Sequence, residues 1–147
     1  MKLLLLPFVL LLGGPLGAQP EKSPLAQGIE LSNQGKWEEA IPLLEQAAKA
    51  APDSYQAALA LGSARLSAKQ YVMAKGELER AAKLEPGSAS THYVLALLYE
   101  KLKEHRKAVA AWRIFLSHKL DVDSRQVAEK HLAHELEHLK KDQGKTP

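Results

Sequence analysis

Small and aliphatic residues recur at helical spacing along most of this chain, and short polar or proline-bearing stretches interrupt them at regular intervals. Leu25, Gly28, Ile29 and Leu31 lie on one face of a first helix, and Ser23-Pro24 offers it an N-cap and a proline at the first helical position. Asn33-Gln34-Gly35-Lys36 is a turn in which Gly35 is free to take a positive φ. The second helix runs from Trp37 to about Ala50, with Ala40, Ile41, Leu44, Ala47 and Ala48 inward and Ala51-Pro52-Asp53 ending it. Asp53 or Ser54 caps a third helix that buries Ala57, Ala58, Leu61, Gly62 and Leu66. Its break at Ser67-Ala68-Lys69-Gln70 is weaker, since no glycine stands there. Tyr71 opens a fourth helix carrying Ala74, Leu78, Ala81, Ala82 and Leu84, and Glu85-Pro86-Gly87 stops it.

Ser88 caps a fifth helix with His92, Leu95, Ala96, Leu98 and Tyr99, and a sixth after Lys103-Glu104-His105 bears Ala108, Val109, Trp112, Phe115 and Leu116. Asp123 with Gln126 three residues on predicts a capping-box-like start for a last helix, from Ser124 to about Lys141, with Ala128, Leu132, Leu136 and Leu139 on one face. From Asp142 the chain is polar, and a disordered tail is expected over 142–147.

The pattern repeats at a fixed step of 34. Gly28, Gly62 and Ala96 keep it, as do Ala40, Ala74 and Ala108, and the ring positions Trp37, Tyr71 and His105. Leu44, Leu78 and Trp112 follow, then Ala47, Ala81 and Phe115. Pro52 and Pro86 close the first two units, whereas Leu120 stands where a third proline would fall. This period and residue order resemble the tetratricopeptide repeat. The resemblance implies an all-α, right-handed superhelical solenoid of three antiparallel helix pairs with a C-terminal capping helix. Repeats are expected at about 21–54, 55–88 and 89–122 within a domain spanning 24–141, the capping helix occupying 123–141. The small residue at Gly28, Gly62 and Ala96 is expected to face the alanine at Ala40, Ala74 and Ala108, letting each pair approach closely. One pair cannot bury its own face, so stability comes from stacking.

In tetratricopeptide proteins the ligand face is concave and lined by the first helix of each pair. The resemblance places that face here on Lys22, Leu25, Ala26, Ile29, Ser32 and Asn33 in the first unit. In the second it falls on Gln56, Leu59, Ala60, Ser63 and Leu66, and in the third on Ser90, Tyr93, Val94, Leu97 and Glu100. The family's best-known members grip a C-terminal carboxylate with lysine, arginine and asparagine at several of these places. This chain has Leu25, Ile29, Ala60, Ser90 and Val94 there, so the carboxylate clamp is absent. A mostly apolar groove remains, suited to a helix or extended segment of another protein. The rival occupants are the C-terminal helix or a second copy of the chain, which would make it a self-associating structural protein.

Composition agrees with the helical reading: 46% of the 147 residues are apolar, only 5% are aromatic, and alanine and leucine dominate. Residues 1–18 read as a secretory signal, with Lys2 as basic n-region, an apolar run Leu3–Leu12, and cleavage expected after Ala18; residues 19–23 form a polar leader. The run is interrupted by Pro7 and is shorter than the ~20 apolar residues of a spanning helix, so no stable membrane insertion is expected after cleavage. No cysteine follows it to carry a lipid. The formal charge is +3, with acidic and basic residues interleaved rather than blocked, which argues against a nucleic-acid binder. An exported chain without cysteine is held by its apolar core alone, and the periplasm is the expected compartment, secretion the alternative.

One stretch points to chemistry. His134-Glu135-Leu136-Glu137-His138 matches H-E-x-x-H, which on a helix can hold zinc through two histidines with the glutamate as base. His131, His134 and His138 fall within about 60° of arc, a candidate metal face. Against a hydrolase stand the need for a third protein ligand placed by the fold, Asp142 being the sole carboxylate side chain after His138, and the lack of any strand pattern to align a substrate. The histidines lie about a quarter turn from the leucine stripe, where histidine and glutamate are expected to be ordinary solvated residues. His92, His105 and His118 read as isolated packing or surface residues. The reading is therefore a non-enzymatic, cofactor-free exported adaptor, with zinc-dependent hydrolysis as the alternative.

Overall fold

The computed structural model describes residues 22–144. The expected signal segment 1–18 lies outside them, as do residues 19–21 of the leader and the last three residues. Seven helices are described: α1 Pro24–Asn33, α2 Trp37–Ala50, α3 Tyr55–Ser67, α4 Tyr71–Leu84, α5 Ala89–Lys101, α6 His105–Leu116 and α7 Val122–Gln143. No strand occurs among the described residues. The helices pack in sequence as the pairs α1–α2, α3–α4 and α5–α6, with α7 against α6, an all-α solenoid. None of them is long and apolar enough to cross a membrane.

The two helices of a pair start by different means. The first is capped by serine: Ser23, Ser54 and Ser88 hydroxyls accept the backbone N–H of Ala26, Ala57 and Thr91 at 3.2, 3.2 and 3.3 Å. The second has no side-chain cap. Its entry is set by a left-handed residue, at Gly35 (φ 75°), Lys69 (φ 60°) and Lys103 (φ 57°). The next N–H then bonds back five residues, Lys36 to Leu31, Gln70 to Arg65 and Glu104 to Tyr99, closing the first helix of each pair. The break at 67–70, weak in sequence, is as sharp as the glycine one because Lys69 accepts the strained conformation.

Inside the first two pairs the glycine meets a leucine. A Cβ at Gly28 would lie 2.6 Å from Leu44 Cγ, and one at Gly62 2.6 Å from Leu78 Cγ. The small residue thus makes room for Leu44 and Leu78, and Ala40 offers only its carbonyl oxygen, 3.4 Å from the Gly28 position. Between pairs, the Tyr55 hydroxyl bonds Ser88 and Thr91, tying the start of α3 to that of α5. The core falls into two clusters. Ala40, Ile41, Leu44, Ala48, Ala57, Leu61 and Ala64 form the first, in α2 and α3. The larger second cluster is centred on Leu78, Leu95, Leu98, Trp112 and Phe115 and reaches Ala128 in α7.

The last helix differs from expectation at both ends. Asp121, not Asp123, is its cap: the Asp121 carboxylate accepts the Ser124 N–H at 2.8 Å and the Ser124 hydroxyl at 2.6 Å. At the other end Asp142 and Gln143 are helical rather than tail, with Lys140 and Lys141 in the last turn opposing the negative end of the helix dipole.

Candidate functional site

α1 touches α3 and α3 touches α5, so the first helices of the three pairs form one continuous face. The predicted groove residues fall on it unequally. Ile29 and Tyr93 are each 37% exposed, while Asn33 and Gln56 are open to solvent. Leu25, Ser32, Ser63, Leu59, Leu66 and Leu97 are half-buried. Leu59, Leu66 and Leu97 brace against the larger core cluster and Leu25 against the smaller. Tyr93 is held from below by Trp112, edge-on at 5.6 Å, and by Phe115 at 5.3 Å. An aromatic ring fixed by two others and still open on one side loses little freedom when a ligand covers it.

Glu100 is different from its neighbours on that face. One carboxylate oxygen accepts the Trp112 indole N–H at 2.7 Å, and the His131 Nδ1–H lies 3.0 and 3.1 Å from its two oxygens. The His131 ring stacks on Trp112 with centroids 5.0 Å apart. Glu100 therefore joins α5, α6 and α7 and is occupied within the chain.

The histidine helix forms a second constellation, and here the solvated reading holds for His134 and fails for Glu135. Glu135 is 2% exposed. It accepts from His105 Nδ1 at 2.7 Å and from His134 Nδ1 at 3.1 Å, so both carboxylate oxygens are used. His105 is not isolated: its ring stacks on His138, centroids 4.6 Å apart and planes 6° apart. His134 meets His138 edge-on, with the two Nε2 atoms 3.3 Å apart. His92 is buried, and its ring Nε2–H donates to the Pro86 carbonyl at 2.8 Å, anchoring α5 to the turn before it. The sequence signal for the His105–Glu135 pair was the change of the ring position from Trp37 and Tyr71 to histidine.

A peptidase needs the glutamate of this motif facing a metal-bound water. Glu135 instead faces the protein, committed to His105 and His134. Among the described residues, no three histidine, cysteine, aspartate or glutamate side chains converge on a metal position. The motif does not build a hydrolytic centre here.

Nearby, the Glu104 carboxyl is held below its ordinary range by hydrogen bonds from Lys75 and Lys107, and Lys107 is correspondingly raised. Burial, and then the Glu79 carboxylate that accepts its hydroxyl, push Tyr99 up to about 12.

A stack of three helix pairs whose first helices form one continuous face defines the class, a tetratricopeptide-repeat protein. The chain belongs to the family described as anaphase-promoting complex, cyclosome, subunit 3, whose model matches residues 33–113. Among solved structures, a MamA mutant superimposes with a TM-score of 0.70 at 21% identity, covering 80% of this chain and 66% of that one. The first tetratricopeptide domain of human RPAP3 gives 0.65 at 17% identity, covering 78% and 93%. These two likenesses show the fold alone. A protein O-mannosyl-transferase of Caenorhabditis elegans is 25% identical over 109 residues, 74% of this chain. The chain spans only 15% of that curated relative's length, and the transferase activity named there is that protein's.

Proposed function

We propose that this chain is an exported adaptor that binds an apolar segment of another protein along the concave face, and that it carries out no chemistry of its own. The fold class supports protein binding in general. The observation that carries the finer reading is the apolar face running from Ile29 through Leu59 and Leu66 to Tyr93 and Leu97. Three half-buried leucines and an exposed isoleucine beside a braced tyrosine offer apolar area, and the Glu100 carboxylate among them is used internally. The packing of α7 on α6, its reach to α5 through His131, and the exposure of Ile29 and Tyr93 support a groove left to a partner rather than to the last helix. Export rests on the basic–apolar–small order of residues 1–18. The periplasm is the compartment proposed.

The reading is tested by crosslinking from a photoreactive residue placed at Tyr93 or Gln56 in the native compartment, repeated with Leu59→Asp. The same captured protein at both positions, lost with Leu59→Asp while the helical melt is kept, supports the groove. Capture unchanged by Leu59→Asp overturns it.

A further inference from the structure

We propose that His134 and His138 form a two-imidazole site for a late first-row divalent cation, copper(II) held above zinc(II), with Glu135 as the residue that positions it. Three observations converge. The Nε2 atoms of His134 and His138 stand 3.3 Å apart across one turn of α7. Two imidazole nitrogens bound at about 2.0–2.1 Å to one ion lie about 2.8–3.4 Å apart, from the tetragonal angle that copper(II) prefers to the tetrahedral angle of zinc(II), so the pair needs at most a small closing movement to act as a bidentate clamp. The second observation is the carboxylate behind it. His134 Nδ1–H donates to the buried Glu135, which leaves the lone pair on Nε2, the atom that faces His138. A carboxylate holding the far nitrogen of a ligating histidine fixes its tautomer and ring orientation. The third is rigidity and access: the His138 ring is stacked on His105, itself tied to Glu135, while the His134 side chain keeps 66% of its surface open.

In the free protein one Nε2–H sits between the two rings. Binding the cation requires His138 to carry its proton on Nδ1 instead, a tautomer exchange through water with no net proton change. With only two protein ligands, the remaining positions belong to water, and the cation follows the usual order in which copper(II) exceeds zinc(II). This is a site for holding a metal across one turn of the terminal helix, and it makes no use of Glu135 as a base.

The experiment titrates copper(II) and zinc(II) into the full chain carrying no affinity tag, by calorimetry. One saturable site is expected, tighter for copper(II), with a raised melting temperature when the cation is bound. His138→Ala is expected to weaken copper(II) binding by more than ~10-fold, and Glu135→Gln by ~10–100-fold, while His118→Ala leaves it unchanged. Each variant is checked by its helical melt. Should the substitutions unfold α7, electron paramagnetic resonance of the native chain with copper(II) decides, since two coordinated ring nitrogens give a resolved pattern. Binding unchanged by His134→Ala and His138→Ala, no saturable binding, or a spectrum with fewer than two ring nitrogens would each overturn the site.

Discussion

His105 at the start of α6 and Glu135 in the middle of α7 are joined by a 2.7 Å hydrogen bond in which the imidazole donates, and Glu135 is almost wholly enclosed. The two residues fasten the terminal helix to the last repeat at the position where earlier repeats carry Trp37 and Tyr71. Removing one partner strands the other in a buried place. Glu135→Ala is therefore expected to lower stability by ~2–3 kcal/mol in urea unfolding. His105→Tyr alone, which restores the ring of the second repeat, also destabilises. The double change His105→Tyr with Glu135→Leu recovers most of that loss, because neither polar group is then left unpaired. A double variant no more stable than His105→Tyr would contradict the pairing.

The glycines of the chain divide by what stands opposite them. Gly62→Ala forces a Cβ onto Leu78, a fully buried side chain 2.6 Å away, so overpacking of ~1–3 kcal/mol outweighs a gain of ~1 kcal/mol in helix propensity. Gly76, inside α4, has nothing within 4 Å of its would-be Cβ, and Gly76→Ala is expected to raise stability by ~0.5–1 kcal/mol. Thermal melts of the two variants should move in opposite directions.

Two lysines occupy left-handed backbone. Lys69→Gly and Lys103→Gly relieve that conformation and are each expected to stabilise by ~0.5–1 kcal/mol. Lys83→Gly, in the last turn of α4, should cost up to ~1 kcal/mol. Chemical denaturation of the three single variants distinguishes backbone relief from a general effect of losing a lysine.

Asp121 gives the terminal helix a dependence on acid. Hydrogen bonds from the Ser124 hydroxyl and N–H hold its carboxyl below the ordinary value of 3.8. A depressed folded pKa means that the stabilisation is present above the unfolded value and is lost as pH falls through the folded one. Asp121→Ala should therefore destabilise the chain at pH 6 and make progressively less difference as pH is lowered below 3.8. A gap between the two proteins that stays constant down to pH 2 would show that the carboxylate charge contributes nothing.

The scaffold was readable because its determinants are local and repeated. Serine caps, prolines and the step of 34 each act within a few residues, so one sequence suffices to place the helices. What a helical pair does internally was legible only in part: the small residue at Gly62 was evident, while the identity of its opponent, Leu78, depends on how far the helices slide. Lys69 in the left-handed region could not be foreseen from propensity, since the same turn carries glycine one repeat earlier; the common register at 35, 69 and 103 was the available signal. The candidate sites fared less evenly. Wheel geometry set the histidines off the leucine stripe, but Glu135 is buried because α6 presents a hydrogen-bond donor to it. That is a relation between residues thirty positions apart, invisible to periodicity. Glu100 likewise sits at a groove position by register and is withdrawn from it by Trp112 and His131.

The division of the core has a spectroscopic consequence. Trp37 lies in α2, among the helices of the smaller cluster, and Trp112 is sealed at the centre of the larger one. Each half of the stack thus carries its own intrinsic fluorophore, and the two differ in their exposure to water. If the halves loosen at different denaturant concentrations, emission from Trp37→Phe and Trp112→Phe proteins will separate in midpoint. Coincident curves would mean that the Tyr55–Ser88–Thr91 junction makes the array melt as one.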